Sequence, residues 1–197
     1  MGFTCILLVT NGKGEVLMDI SNIIASEVGT TYGFKIGNPD APVKVIEFIN
    51  LRCPFCKKWY EDSKDVLAYY VAAGKVQRII KHFDKEKPSL AKGNVVHHYL
   101  DYSNPEKALE EMDYFYDKQD EWGDLEELKE VAAYVEEKRG LTHQPNTEEI
   151  NGIIEEAGRA NVVLVPSVFI GEAIFDEHIT SDELTDLIET ALNETTK

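Results

Sequence analysis

Two cysteines set two residues apart, Cys53-Pro54-Phe55-Cys56, are the pair in this sequence best suited to chemistry. At the start of a helix, that spacing puts the second sulfur one turn in, beside the first and less exposed. A thiol at a helix N-terminus faces unpaired backbone N–H groups and the positive end of the dipole, which favour the thiolate. Cys53 would then attack a substrate disulfide, and Cys56 would resolve the mixed disulfide. Pro54 fits the first helical position, where a missing N–H costs nothing. Arg52, Lys57 and Lys58 add positive charge nearby; Arg52 either tunes Cys53 or is solvated beside it. Half of a zinc site is the competing chemistry, but zinc wants two more Cys or His ligands in a second cluster. His97 and His98 are adjacent on a helix and diverge, so no metal is expected. Only one pair among the three cysteines is closely spaced, which excludes a disulfide scaffold and leaves Cys5 a buried or bystander thiol.

Two more residues stand out against their surroundings. Glu47 interrupts an apolar run six residues before Cys53, and period two from Val45 and Ile49 points it inward. Buried carboxylates are rare, and desolvation should raise its pKa toward neutrality, suiting it to relay a proton to or from Cys56. Removing so unfavourable a group should stabilise the fold. An edge-strand charge in solvent is the plainer alternative. Pro166 lies between Val162–Val165 and Ser167–Ile170, where proline deletes a ladder donor. A cis Val165–Pro166 bond, beginning the strand beside Cys53, would account for it and bare the Val165 backbone to a substrate's extended chain. Val165, with Pro54 and Phe55, is therefore assigned to substrate contact.

The elements needed to position these groups are legible around them. Turn residues 37–42 lead into a strand at Val43–Ile49, apolar enough to be buried on both faces. A helix from Cys53 to about Tyr70 ends at Gly74, and a second strand, Val76–Phe83, runs parallel to the first if the helix is a right-handed crossover. Four helices are expected next, at Ala91–Tyr102, Pro105–Asp117, Leu125–Arg139 and Thr147–Gly158, with Asp124 and Thr147 as caps. Leu109, Met112, Phe115, Tyr116, Leu128, Val131, Ala132 and Val135 form their core face. Strands return at Val162–Ile170 and Glu172–Phe175 as a tight hairpin about Gly171. A last helix, capped by Ser181 or Asp182, carries Leu184, Leu187, Ile188 and Leu192. The class is α/β: a core at 37–88 and 159–197, a helical insertion at 89–158, and an N-terminal extension at 1–36. Thr4–Val9 and Glu15–Ile20 read as a hairpin around Asn11-Gly12.

Composition narrows the partners. A net charge of −16 argues against nucleic acid and anionic membranes. No apolar run approaches the ~18 residues of a membrane span. Charge is uneven, with 18 acidic and 6 basic residues in 89–158 against 6 acidic and 10 basic in 43–88. Solvated helix faces account for the acidic part. Phe3–Val9 lacks the preceding Lys or Arg and the following small residues of an export signal, so a cytoplasmic setting is expected.

The order strand, Cys-x-x-Cys at a helix start, helix, strand, then hairpin and final helix is that of a thioredoxin fold. Gly37-Asn-Pro-Asp-Ala-Pro-Val-Lys-Val-Ile-Glu-Phe48, Cys53-Pro-Phe-Cys56, Val165-Pro-Ser-Val-Phe-Ile-Gly171 and the insertion with Tyr116-Asp-Lys-Gln-Asp-Glu-Trp122 together resemble the DsbA-like branch of that superfamily, over about residues 37–195. The resemblance implies a nucleophilic Cys53, a resolving Cys56, a cis-proline at Pro166 and a buried acidic relay at Glu47. It implies protein or small-thiol disulfide substrates, a redox partner and no cofactor. Phe55 stands where exported DsbA proteins carry a histidine, so a reductase or isomerase is expected rather than a strong oxidase. Two other readings compete: a non-catalytic adaptor docking through its acidic helices, and a glutathione-dependent isomerase or transferase. The adaptor would not need both thiols, Glu47 and Pro166, and the transferase would not need Cys56.

Overall fold

The computed structural model describes residues 20–195 and, ahead of them, the backbone of Val9–Thr10 and Val16–Leu17. Those two short segments, β1 (Val9–Thr10) and β2 (Val16–Leu17), pair antiparallel with Val9 opposite Leu17. The rest of the expected hairpin, and Cys5, lie outside the described residues.

A five-stranded sheet organises the described residues. It contains β3 (Phe34–Ile36), β4 (Val43–Ile49), β5 (Val76–His82), β6 (Ser167–Ile170) and β7 (Ala173–Phe175), in the order β3-β5-β4-β6-β7. β4 runs parallel to β5 across the helix α1 (Pro54–Ala72), and the β3–β5, β4–β6 and β6–β7 pairs are antiparallel. Central β4 explains its own composition. Val45 and Ile49 pack with Cys56, Trp59 and Leu67 of α1, while Ile46 and Phe48 pack on the opposite face with Ile79, Phe169 and Ile153. A strand covered on both faces needs a continuous apolar run.

The insertion supplies α2 (Ala91–His97), α3 (Pro105–Asp117), α4 (Gln119–Gly123), α5 (Leu128–Arg139) and α6 (Thr147–Arg159); α7 (Ser181–Thr195) closes the chain. Several boundaries differ from the sequence expectation. α2 stops at His97, and the carbonyls at and just past its end are taken up from outside: Asn146 donates to His97 O and Leu100 O, and Gln144 N to His98 O. α5 begins at Leu128, because Glu127 and Glu130 form a reciprocal capping box; Asp124 instead ends the unexpected α4. Leu128, at this first position, is 48% exposed rather than in the core. The cap position of α6 is Asn146, and α7 is capped by Thr180, whose Oγ1 accepts from Glu183 N while Glu183 accepts from Thr180 N.

Two strands also differ. β3 was not anticipated; three residues with a central lysine carry little strand signal, and β5 recruits them at the edge of the sheet. The strand expected from Val162 starts only at Ser167. Its last partner is Phe48, one residue before β4 ends; Pro166, which falls opposite Ile49, has no N–H to give, and residues 162–165 lie past the end of β4. The hairpin itself is as tight as expected, with Ile170 opposite Ala173 and Gly171 at φ 57°.

Candidate active site

Cys53 occupies the N-cap position of α1 with Pro54 next in the helix, and Cys56 is buried one turn in; both are free thiols. Asn50 N donates to Cys56 Sγ at 3.4 Å, and Cys53 Sγ donates to Val165 O at 3.4 Å. The Val165–Pro166 peptide is cis. Phe55 is 56% exposed beside the pair.

The two thiols are strongly differentiated. A hydrogen bond from Cys56, assisted by the backbone N–H groups of Cys56 and Phe55, brings Cys53 down from 9.0 to about 7, although burial and Glu177 oppose it. Burial, then the neighbouring Cys53, pushes Cys56 well above the ordinary thiol value. The helix start thus acts through specific donors. The basic residues expected to help are engaged elsewhere. Arg52 pairs with Asp124 at 3.3 Å, Lys57 faces Glu61 at 3.8 Å, and Lys58 bonds Asp62. None of the main influences on Cys53 comes from Arg52.

Glu47 points inward, as the period implies, yet it is not solitary. Trp59 Nε1 donates to it at 2.8 Å, and Arg78 donates Nε at 2.8 Å and Nη2 at 3.1 Å. Arg78, opposite Val45 on β5, is itself 4% exposed. The expectation of an uncompensated, desolvated carboxylate is therefore overturned: Glu47 is an ion-paired anchor tying β4 and β5 to α1 through Trp59. None of the main influences on Cys56 comes from Glu47.

A carboxylate that sequence reading missed, Glu177, lines the groove with Cys53, and its charge is the smallest of the main influences raising both thiols. β7 ends at Phe175, which packs edge-on to Trp59 at 5.7 Å, and Lys58 Nζ donates to Glu177 O at 3.2 Å. The turn after β7 is thereby pinned to the start of α1. Glu177 is only 8% exposed, and burial raises its pKa. Alkylation of the reduced protein should titrate at Cys53 with a midpoint near 7 and leave Cys56 unlabelled below pH 9. Glu177→Gln removes a charge that disfavours the thiolate, so that midpoint should fall; an unchanged or higher midpoint would exclude this role.

The loop carrying Cys53 is held by the insertion. Leu51 N donates to His97 Nε2 at 3.2 Å, and His97 Nδ1 bonds Asp84 Oδ1 at 2.6 Å. Accepting at Nε2 puts the imidazole proton on Nδ1, so the network fixes one neutral tautomer. Burial works against the Asp84 charge, but hydrogen bonds from His97 and His98 overcome it and hold the carboxyl at about 2. His97 and His98, read as diverging, thus converge on one carboxylate. His82 stacks on His97 at 4.7 Å, and burial pushes it well below its ordinary pKa. Gln119 Nε2 donates to Leu51 O at 2.7 Å and Cys53 O at 3.2 Å, while Asn50 bonds Phe83 O and Asn94. Gly93 permits this approach: a methyl group there would lie 2.1 Å from Asn50 Oδ1.

A groove of about 670 Å³ opens onto Cys53, lined by Arg52, Pro54 and Phe55 on one side and Val163–Pro166 on another. All the residues assigned from sequence to substrate contact meet there. Among the described residues no helix is long and apolar enough to cross a membrane.

The thioredoxin family model matches residues 29–190. Among solved structures, the chain is similar to a conserved protein of unknown function from Enterococcus faecalis, at 53% identity, covering 87% of this chain and 98% of that one with a TM-score of 0.85. Alpha-DsbA1 from Wolbachia pipientis shares the fold at 16% identity, covering 86% and 95% of the two chains with a TM-score of 0.68. So does a protein-disulfide isomerase from Novosphingobium aromaticivorans, at 18% identity, 81% and 97% coverage and a TM-score of 0.61. A search of curated proteins finds no match. With a Cys-x-x-Cys at the start of α1 and helices inserted between β5 and β6, the chain belongs to the thioredoxin family and has its DsbA-like fold.

Proposed function

We propose that the chain exchanges dithiol for disulfide on protein or small-thiol substrates, as a reductase or isomerase rather than a strong oxidase. Cys53 thiolate attacks one sulfur of a substrate disulfide, forming a Cys53–substrate disulfide and releasing the other sulfur as a thiolate. Cys56 loses its proton and attacks Cys53 Sγ. The second substrate thiolate leaves, and the substrate is reduced by two electrons as Cys53–Cys56 is oxidised. Val165, Pro54 and Phe55 contact the substrate chain in the groove, and a separate redox partner restores the dithiol.

The observation that carries this reading is the asymmetry of the pair: Cys53 caps α1 and lines the groove, while Cys56 is fully buried behind it, an arrangement that lowers the Cys53 pKa to about 7 and raises that of Cys56. Holding a thiol at about 7 instead of 9.0 takes roughly 3 kcal/mol. A strong oxidant with a thiol near ~3.5 needs roughly 7 kcal/mol from a free thiol at about 8.5. Phe55 can supply neither charge nor hydrogen bond toward that difference. We place the protein in the cytoplasm, where a couple of this kind donates electrons. Equilibration with glutathione should give a Cys53–Cys56 potential between about −270 and −170 mV. A value near −120 mV would reverse the assignment to an oxidase.

A further inference from the structure

The groove at Cys53 has walls of opposite charge, and the sheet order puts them there. At the end of the sheet where β4 delivers Cys53, each neighbouring strand also begins or ends. Lys85 and Lys87 follow β5, Val165 and Pro166 precede β6, and Asp176 and Glu177 follow β7. All of them line the one groove. In the order β5-β4-β6-β7 the lysines and the carboxylates are three strand spacings apart, about 14 Å, with Cys53 between. That separation is about four residues of extended chain.

The basic wall is not a by-product of overall charge. The chain carries −16, yet Lys85 and Lys87 face this groove while the intervening Glu86 does not line it. Lys85 is fixed in place, donating to Val163 O at 2.8 Å and lying over the Phe83 ring at 4.1 Å. On the opposite wall, Asp176 bonds the His178 ring at 2.9 Å, and Glu177 lies 3.8 Å from the same nitrogen. Lys58 reaches the Glu177 backbone carbonyl and pairs its charge with Asp62. Between the walls, Phe55, Val163 and Leu164 leave an apolar surface open to solvent, at 56%, 66% and 53% exposure.

We infer that the groove selects an extended, disulfide-bearing segment whose cysteine has an acidic residue on one side, toward Lys85 and Lys87, and a basic residue on the other, toward Glu177. The inference rests on the proposed exchange reaction and adds its substrate preference. A strongly acidic protein without such walls would favour uniformly basic partners through its overall field.

The test uses reduced full-length protein and blocked peptides activated as 2-pyridyl disulfides at a central cysteine, followed by release of thiopyridone. Peptides are neutral, basic on both sides, or acidic on one side and basic on the other in either order. One mixed-charge order should react about 3–20-fold faster than the neutral and the doubly basic peptides at low salt, with the advantage mostly lost at high salt. Lys87→Glu combined with Glu177→Lys should transfer the advantage to the opposite order. Each rate is divided by that of the neutral peptide on the same variant, which cancels any change in Cys53 itself. Equal rates, or a doubly basic peptide fastest, would overturn the inference while exchange itself stands. Failure of even the neutral peptide to react through Cys53 would sink the exchange reading as well.

Discussion

Cys53→Ser should abolish disulfide exchange, a loss of about 10³-fold or more, whereas Cys56→Ser should accumulate mixed disulfides through Cys53. The two outcomes follow from one geometry. Cys53 has the N-cap position, the donors from Cys56 and Phe55, and the groove. Cys56 has none of these and is fully buried, so it reacts only with the sulfur already beside it. Without Cys56, a mixed disulfide at Cys53 has no internal exit and persists until an external thiol removes it. Mass spectrometry of each variant after incubation with a disulfide peptide separates the roles. An adduct on Cys56 in the Cys53→Ser protein at neutral pH would contradict them.

Glu47→Leu should destabilise the fold by about 3–5 kcal/mol, the opposite of what a solitary buried carboxylate would give. The substitution leaves the Arg78 guanidinium buried without its anion and Trp59 Nε1 without its acceptor. Desolvation of both ions is the larger cost of such a pair, so Glu47→Leu with Arg78→Leu should recover most of the loss. Urea denaturation of the single and double variants at neutral pH measures the coupling. If the single variant proves more stable than the parent, the ion pair is not what holds the carboxylate.

The same residue shows where sequence reasoning stops. Period two was enough to place Glu47 on the face of Val45 and Ile49. Its partner lies 31 residues later, on a strand whose own pattern gave no reason to single out Arg78. The Cys53–Cys56 pair was legible because its geometry rests on short spacing, a helix start and two thiols one turn apart, and Pro166 because it breaks an otherwise apolar run. Asp84, His97, Gln119 and Glu177 were not, because each reaches the site from another element and none has a local pattern. Strand ends were misplaced for a related reason. Val162–Val165 has the composition of a strand, but pairing needs a neighbour, and β4 has already turned away at Asn50.

The clasp on the Cys53 loop has a consequence in time as well as in space. His97 and Gln119, which hold Leu51, belong to a segment that the ribosome has not yet made when the cysteines emerge. At ~5–20 residues per second, Gln119 follows Leu51 by roughly 3–14 s. Throughout that interval the contacts that His97 and Gln119 make to Leu51 and Cys53 cannot form. The loop that carries Cys53 therefore receives its last side-chain supports only after the inserted helices have been made.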